Sequence, residues 1–148
     1  MATSIQEKNI KMITRLIPLV QQKIGPAYRK VNEQDKFLYN NQFRALMIIG
    51  NRGRITSSEL GATLYMKKGS VTTLIDSLIE KDLVTRENDK QDRRKTWIYL
   101  TDKGKVYKKE KYPLIQFEIS KILEKLPKED LDIFFEGVEK TIRVLEKL

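Results

Sequence analysis

The run TSSELGATLYMKKGSVTTLIDSLIEKDLVTRENDKQDRRKTWIYLTDKG, Thr56 to Gly104, decides the fold. It opens on a capping box. The Thr56 hydroxyl can accept from the backbone N–H of Glu59, and the Glu59 carboxylate reaches back to Thr56. A short helix then carries Leu60 and Leu64, and Tyr65-Met66-Lys67 makes a tight turn. A second helix is predicted from about Lys68 to Lys81, with Val71, Leu74, Ile75, Leu78 and Ile79 on its buried face. Two short helices joined by a brief turn have the sequence shape of a helix-turn-helix. Two β-like runs follow, Leu83 to Glu87 and Thr96 to Leu100; in the second, Trp97 and Tyr99 alternate with Ile98 and Leu100. Asn88 to Lys95, between them, is wholly polar or charged, so the pair reads as a hairpin with a long basic tip, a wing.

The helix from Lys68 has a distinctive outer side. A helix turns about 100° per residue, so Leu74, Ile75 and Leu78 cluster around Val71, and Gly69, Thr73, Asp76 and Glu80 fall opposite. Ser70, Thr72 and Ser77 flank that side, and Lys67 and Lys68 lie at its start. Small hydroxylated side chains suit a helix pushed into a major groove, where hydroxyls meet phosphates or base edges and methyls meet thymine methyls. An ordinary amphipathic helix with a solvated face fits the same pattern. Asp76 and Glu80 oppose phosphate, so contact is expected near the N-terminal end, at Lys67, Lys68, Ser70, Thr72 and Thr73. In the wing, Arg93, Arg94 and Lys95 supply cations for a minor groove, and Asp89 and Asp92 are placed to organise the loop.

Outward from this core, the chain reads as helix at both ends. Ile10, Ile13, Ile17, Val20 and Ile24 recur at helical steps, with Pro18 expected to kink or restart the helix and Gly25-Pro26 to break it. Residues 31–36 are polar and read as a connection. Asn40 or Asn41 is the expected cap of a helix carrying Phe43, Leu46 and Met47, which Gly53 ends; Arg54-Ile55-Thr56 is long enough only for a bridging strand. Thr101 caps a further helix that continues past Pro113, where a kink is expected. Pro127 opens the last helix, whose seam is Leu131, Phe134, Phe135, Val138, Ile142, Leu145 and Leu148.

Composition narrows the chemistry. The 29 basic residues outnumber the 20 acidic ones, which favours a polyanionic partner. Residues 51–111 hold 15 basic against 9 acidic, whereas residues 112–148 hold 6 against 8, so the tail is least suited to phosphate. There is no cysteine and no histidine, which removes thiol redox switching, thiolate zinc sites and the commonest general base. No metal or cofactor is called for, and no nucleophile–base pair or phosphate-cradling loop points to an enzyme. No apolar run reaches the roughly 18 residues of a membrane span, and no signal-peptide core is visible, so the expected location is the cytoplasm.

The run Asp89 to Gly104 resembles the signature of the MarR family of regulators, Asp-x-Arg-Asp-x-Arg, an alternating strand, then Leu-Thr-x-x-Gly. Asp89, Asp92, Arg94, Leu100, Thr101 and Gly104 match; Gln91 stands where arginine is usual. Upstream, Val71-Thr72, Leu78 and Leu83-Val84-x-Arg86 also resemble the family, while Thr73 replaces a frequent arginine and Lys67 a frequent capping serine or aspartate.

The resemblance implies a mainly α fold with a small β-hairpin wing: a winged helix-turn-helix DNA-binding domain at residues 37–101 and a helical dimerisation region at residues 1–36 and 102–148. It implies a homodimeric, sequence-specific transcription regulator, a repressor, bound to an inverted repeat in double-stranded DNA. It also implies a small aromatic or lipophilic ligand in a cleft between the dimer helices and the DNA-binding lobe, for which Tyr28, Phe37, Tyr39, Phe43, Tyr107 and Phe117 are the candidate aromatics. The alternatives are a constitutive or non-specific DNA-binding protein without a ligand switch, and a basic RNA-binding module.

Overall fold

The computed structural model describes residues 4–148, with side chains from residue 7 onward. The order is α1 (Ser4–Lys23), α2 (Gly25–Asp35), α3 (Asn40–Arg52), β1 (Arg54–Thr56), α4 (Ser57–Leu64), α5 (Lys68–Glu80), β2 (Val84–Asn88), β3 (Thr96–Leu100), α6 (Asp102–Leu123) and α7 (Lys128–Leu145). The fold is mainly helical, with one small antiparallel sheet in the order β1-β3-β2.

The expected helix-turn-helix and wing are both present. Thr56 and Glu59 form the capping box, the Thr56 amide donating to Glu59 Oε2 at 2.8 Å and the Glu59 amide to Thr56 Oγ1 at 3.3 Å. α4 ends at Tyr65, a non-glycine residue at φ 54°. Its unfavourable backbone is held by the Tyr65 and Met66 amides, which donate to the carbonyls of Ala62 and Gly61. α5 buries Val71, Leu74, Ile75 and Leu78. Ile55 of β1 pairs with Ile98 of β3, and both face inward to join Phe43, Leu46 and Ile49 of α3 and Leu60 of α4 in one core. Each such aliphatic or aromatic side chain contributes roughly 1.5–3 kcal/mol on burial, so this cluster sets the position of α5 and the hairpin.

Several local expectations are corrected. Residues 31–36 are not a connection: α2 continues to Asp35 because Val31 and Asn32 are buried, and it ends on Lys36 at φ 55°. Tyr39, not Asn40 or Asn41, caps α3. Its amide donates to Gln42 Oε1 at 3.0 Å, while Gln42 Nε2 donates to Ser77 Oγ at 2.8 Å, so one buried amide both starts α3 and ties it to α5. α1 and α6 run unbroken through Pro18 and Pro113. β2 lies one residue later than expected, since Leu83 is buried and its carbonyl accepts from the Thr101 amide at 3.1 Å.

The terminal helices are different in kind. α7 has no buried residue. Ile133, Phe135, Ile142 and Leu145 are each at least half exposed, and α1 presents Ile10, Ile13, Leu16 and Ile17 at 46–58% exposure.

Candidate nucleic-acid interface

Lys67 is the N-cap of α5 and makes no side-chain cap, as expected of a lysine in that position. The first turns of α5 then place Lys68, Ser70, Thr72 and Thr73 in solvent. The Thr72 hydroxyl donates to the Lys68 carbonyl at 3.0 Å and the Thr73 hydroxyl to the Gly69 carbonyl at 3.1 Å. Those hydroxyl oxygens remain able to accept, and both threonines are exposed. Ser77, expected on the same outer side, is instead turned inward to Gln42 and to the Leu74 carbonyl. The acid of this helix that most opposes phosphate is neutralised: Arg86 Nη2 of β2 lies 2.5 Å from Asp76 Oδ1.

The wing is an ordered loop rather than a solvated charge run. The Asp89 amide donates to the Lys95 carbonyl and the Lys95 amide to the Asp92 carbonyl, each at 2.9 Å, closing the tip. Asp89 Oδ1 accepts the amides of Gln91 and Asp92 at 2.8 and 2.9 Å, and Asp89 Oδ2 accepts the Trp97 indole N–H at 2.7 Å. These bonds, the indole first, hold its carboxyl down at about 2. Asp92 Oδ1 accepts both Nε and the backbone amide of Arg94 at 3.1 Å, which lowers the Asp92 carboxyl as well. Both wing aspartates therefore shape the loop, and Arg93, Arg94 and Lys95 are exposed on it. Asp92 grips Arg94 through a single oxygen.

Two features escaped the sequence reading. Arg54 of β1 lies over the Trp97 ring, its guanidinium carbon 4.3 Å from the centroid. Gly104 is required by contact: a Cβ there would stand 2.0 Å from the Leu83 carbonyl oxygen. The alternation of Trp97 and Tyr99 signalled a strand face but not its cation; the Leu-Thr-x-x-Gly pattern marked Gly104 without giving the reason.

A cleft of about 550 Å³ opens between α1–α2 and α3–α4. Tyr28 and Phe43 line it with Met47, and Arg29 and Arg44 bring positive charge. Burial of Tyr28 raises its phenol above the usual value. Of the other candidate aromatics, Phe37 packs on Tyr107 with centroids 5.8 Å apart, and Tyr39 and Phe117 are exposed. The Tyr107 hydroxyl donates to Asp35 Oδ2 at 2.5 Å, and Lys111 pairs with the other Asp35 oxygen at 3.2 Å. Among the described residues there is no cluster of three metal-ligating side chains and no helix long and apolar enough to cross a membrane.

The helix pair, the exposed face of α5 and the adjoining hairpin define a winged helix-turn-helix protein. Residues 38–96 match the model of the MarR family. It is 31% identical over 91 residues to the HTH-type transcriptional regulator YkoM of Bacillus subtilis, covering 62% of this chain and 59% of YkoM. The multiple antibiotic resistance repressor MarR superposes with a TM-score of 0.68 at 27% identity, over 87% of this chain and 93% of that one. FabT of Streptococcus pneumoniae, solved in complex with DNA, shares the fold at a TM-score of 0.65 and 20% identity, over 94% and 98%. YkoM is described as a transcriptional regulator and MarR as a repressor.

Proposed function

We propose that this chain is a homodimeric, sequence-specific DNA-binding repressor. The observation that carries this reading is the juxtaposition, across the Arg86–Asp76 pair, of the exposed N-terminal half of α5 with the ordered basic wing. Lys67, Lys68, Ser70, Thr72 and Thr73 contact the major groove; Arg93, Arg94 and Lys95 contact the flanking minor groove, with Asp89 and Asp92 organising the wing. Residues 37–101 form the DNA-binding unit, and residues 1–36 and 102–148 form the dimerisation region. The unpartnered apolar faces of α1 and α7 support a second copy as their cover, and two-fold symmetry then calls for an inverted repeat. The cleft beside Tyr28 and Phe43 is the candidate site for a small aromatic ligand that releases DNA, its two arginines favouring an anionic one. The protein acts in the cytoplasm.

The test is binding to DNA upstream of its own gene, with a scrambled duplex as competitor, across a salt series. Selective binding at two chains per site is expected. Equal, steeply salt-dependent binding to both duplexes would instead favour a constitutive, non-specific DNA-binding protein.

A further inference from the structure

The proposed contacts leave Arg54 unused. It is exposed, and among the described residues no carboxylate lies within ion-pair distance of it, whereas Arg86, Arg94 and Arg143 are each paired. It lies over the face of Trp97, at 4.3 Å. Pairing of Arg54 with Tyr99 and of Thr56 with Trp97 puts Arg54, Trp97 and Tyr99 on the sheet face that turns away from the core residues Ile55 and Ile98. A guanidinium held over an indole keeps N–H donors open, so they can meet a phosphate. The indole is itself fixed, since Asp89 Oδ2 accepts its N–H at 2.7 Å.

We infer that Arg54 is a further phosphate-gripping residue of the DNA interface and that Trp97 is its positioning residue. This rests on the DNA-binding reading above. Arg54 opens into a cleft of about 440 Å³ shared with Lys90 and Gln91 of the wing loop, so a backbone that follows the flank of the wing meets all three. Glu87 and Asp89 also line this cleft. Both Asp89 oxygens are engaged within the loop, and Glu87 Oε2 accepts the Tyr99 hydroxyl at 3.1 Å.

The experiment is a salt series on the full chain with operator and random duplex, comparing Arg54→Ala, Arg54→Lys, Trp97→Leu, Trp97→Phe and, as a wing control, Arg94→Ala. Arg54→Ala is expected to weaken both duplexes by a similar factor and to make the slope of log affinity against log salt shallower by about 0.9, one phosphate contact. Arg54→Lys should keep the slope. Trp97→Leu should keep most of the slope but lose several-fold in affinity, and Trp97→Phe, which restores an aromatic platform, should recover it. An unchanged slope in Arg54→Ala, alongside a changed one in Arg94→Ala, overturns the inference and leaves the DNA-binding reading intact. Equal affinity of Trp97→Leu and the unmodified chain overturns the positioning role. Failure of the unmodified chain to bind any duplex overturns both readings together.

Discussion

Arg86 of strand β2 meets Asp76 of helix α5 at 2.5 Å, joining the helix-turn-helix to the hairpin. The pair is partly exposed, so its loss should cost no more than about 1 kcal/mol of stability. Its effect on binding is larger. Asp76→Asn removes a negative charge from the exposed side of α5 and frees Arg86, so several-fold tighter binding to random duplex and poorer discrimination are expected. A competition assay checks this; unchanged affinity for random DNA would place the pair off the binding surface.

Arg94 stands 91% exposed at the wing, steadied by Asp92. Arg94→Ala should therefore leave the thermal midpoint nearly unmoved, within the roughly 0.5 kcal/mol typical of surface changes. Operator affinity should fall, and the salt slope should become shallower by about 0.9. The same affinity and slope as the unmodified chain would remove Arg94 from the interface.

Asp89 gives a pH signature. Its carboxyl is lowered from 3.8 to about 2 in the folded chain, so its bonds stabilise the hairpin fully above about pH 4 and are lost as the pH falls through about 2. Trp97 is the single tryptophan, so its emission reports this bond directly. Emission should be flat from pH 8 to 4 and change between about 4 and 2. Asp89→Asn should show altered emission already at neutral pH, because its amide meets the indole N–H less well, and should not titrate. A parallel titration in both chains would assign the signal to another group.

Gly104 lies against the backbone at the start of α6. A Cβ 2.0 Å from the Leu83 oxygen cannot be accommodated by side-chain movement, and that oxygen already accepts the Thr101 amide. Gly104→Ala should cost about 2 kcal/mol or more, read from urea midpoints at constant slope. Near-unmodified stability would mean that α6 shifts freely at its first turn.

Ile142 is half exposed on α7. On the proposed dimer, Ile142→Asp should give a monomer in sedimentation equilibrium and weaken operator binding, with the helix-turn-helix core intact by near-ultraviolet spectra. A dimer of unchanged mass would put the interface elsewhere.

The parts legible from sequence were those governed by local rules. The Thr56–Glu59 box, the inward face of α5 and the period-two strand through Ile98 each follow from spacing alone. The parts that were not legible depend on distant partners. Ser77 looked solvent-facing until Gln42, 35 residues away, reached it. Val31 looked like part of a polar connection because its neighbours are polar, yet it is buried in the shared core. The Arg54 platform needs β1 to lie beside β3, a pairing no local pattern encodes. The wing cations and the two aspartates that order them were visible in the sequence, but which atoms each carboxylate engages required the hairpin's actual register.

Helix α6 begins at the base of the wing, where Thr101 caps it and Gly104 touches Leu83, and runs for 22 residues without interruption. At 1.5 Å per residue it is a rod of about 33 Å. Rotating such a rod by about 5° around its far end displaces the wing end by about 3 Å, comparable to a whole hydrogen-bond length. Pro113, at mid-shaft, removes one backbone donor and makes that the natural place for the rod to flex. In the dimer proposed above, leverage thus lets a small adjustment among the tail helices change the span between two reading heads without any rearrangement inside the heads themselves.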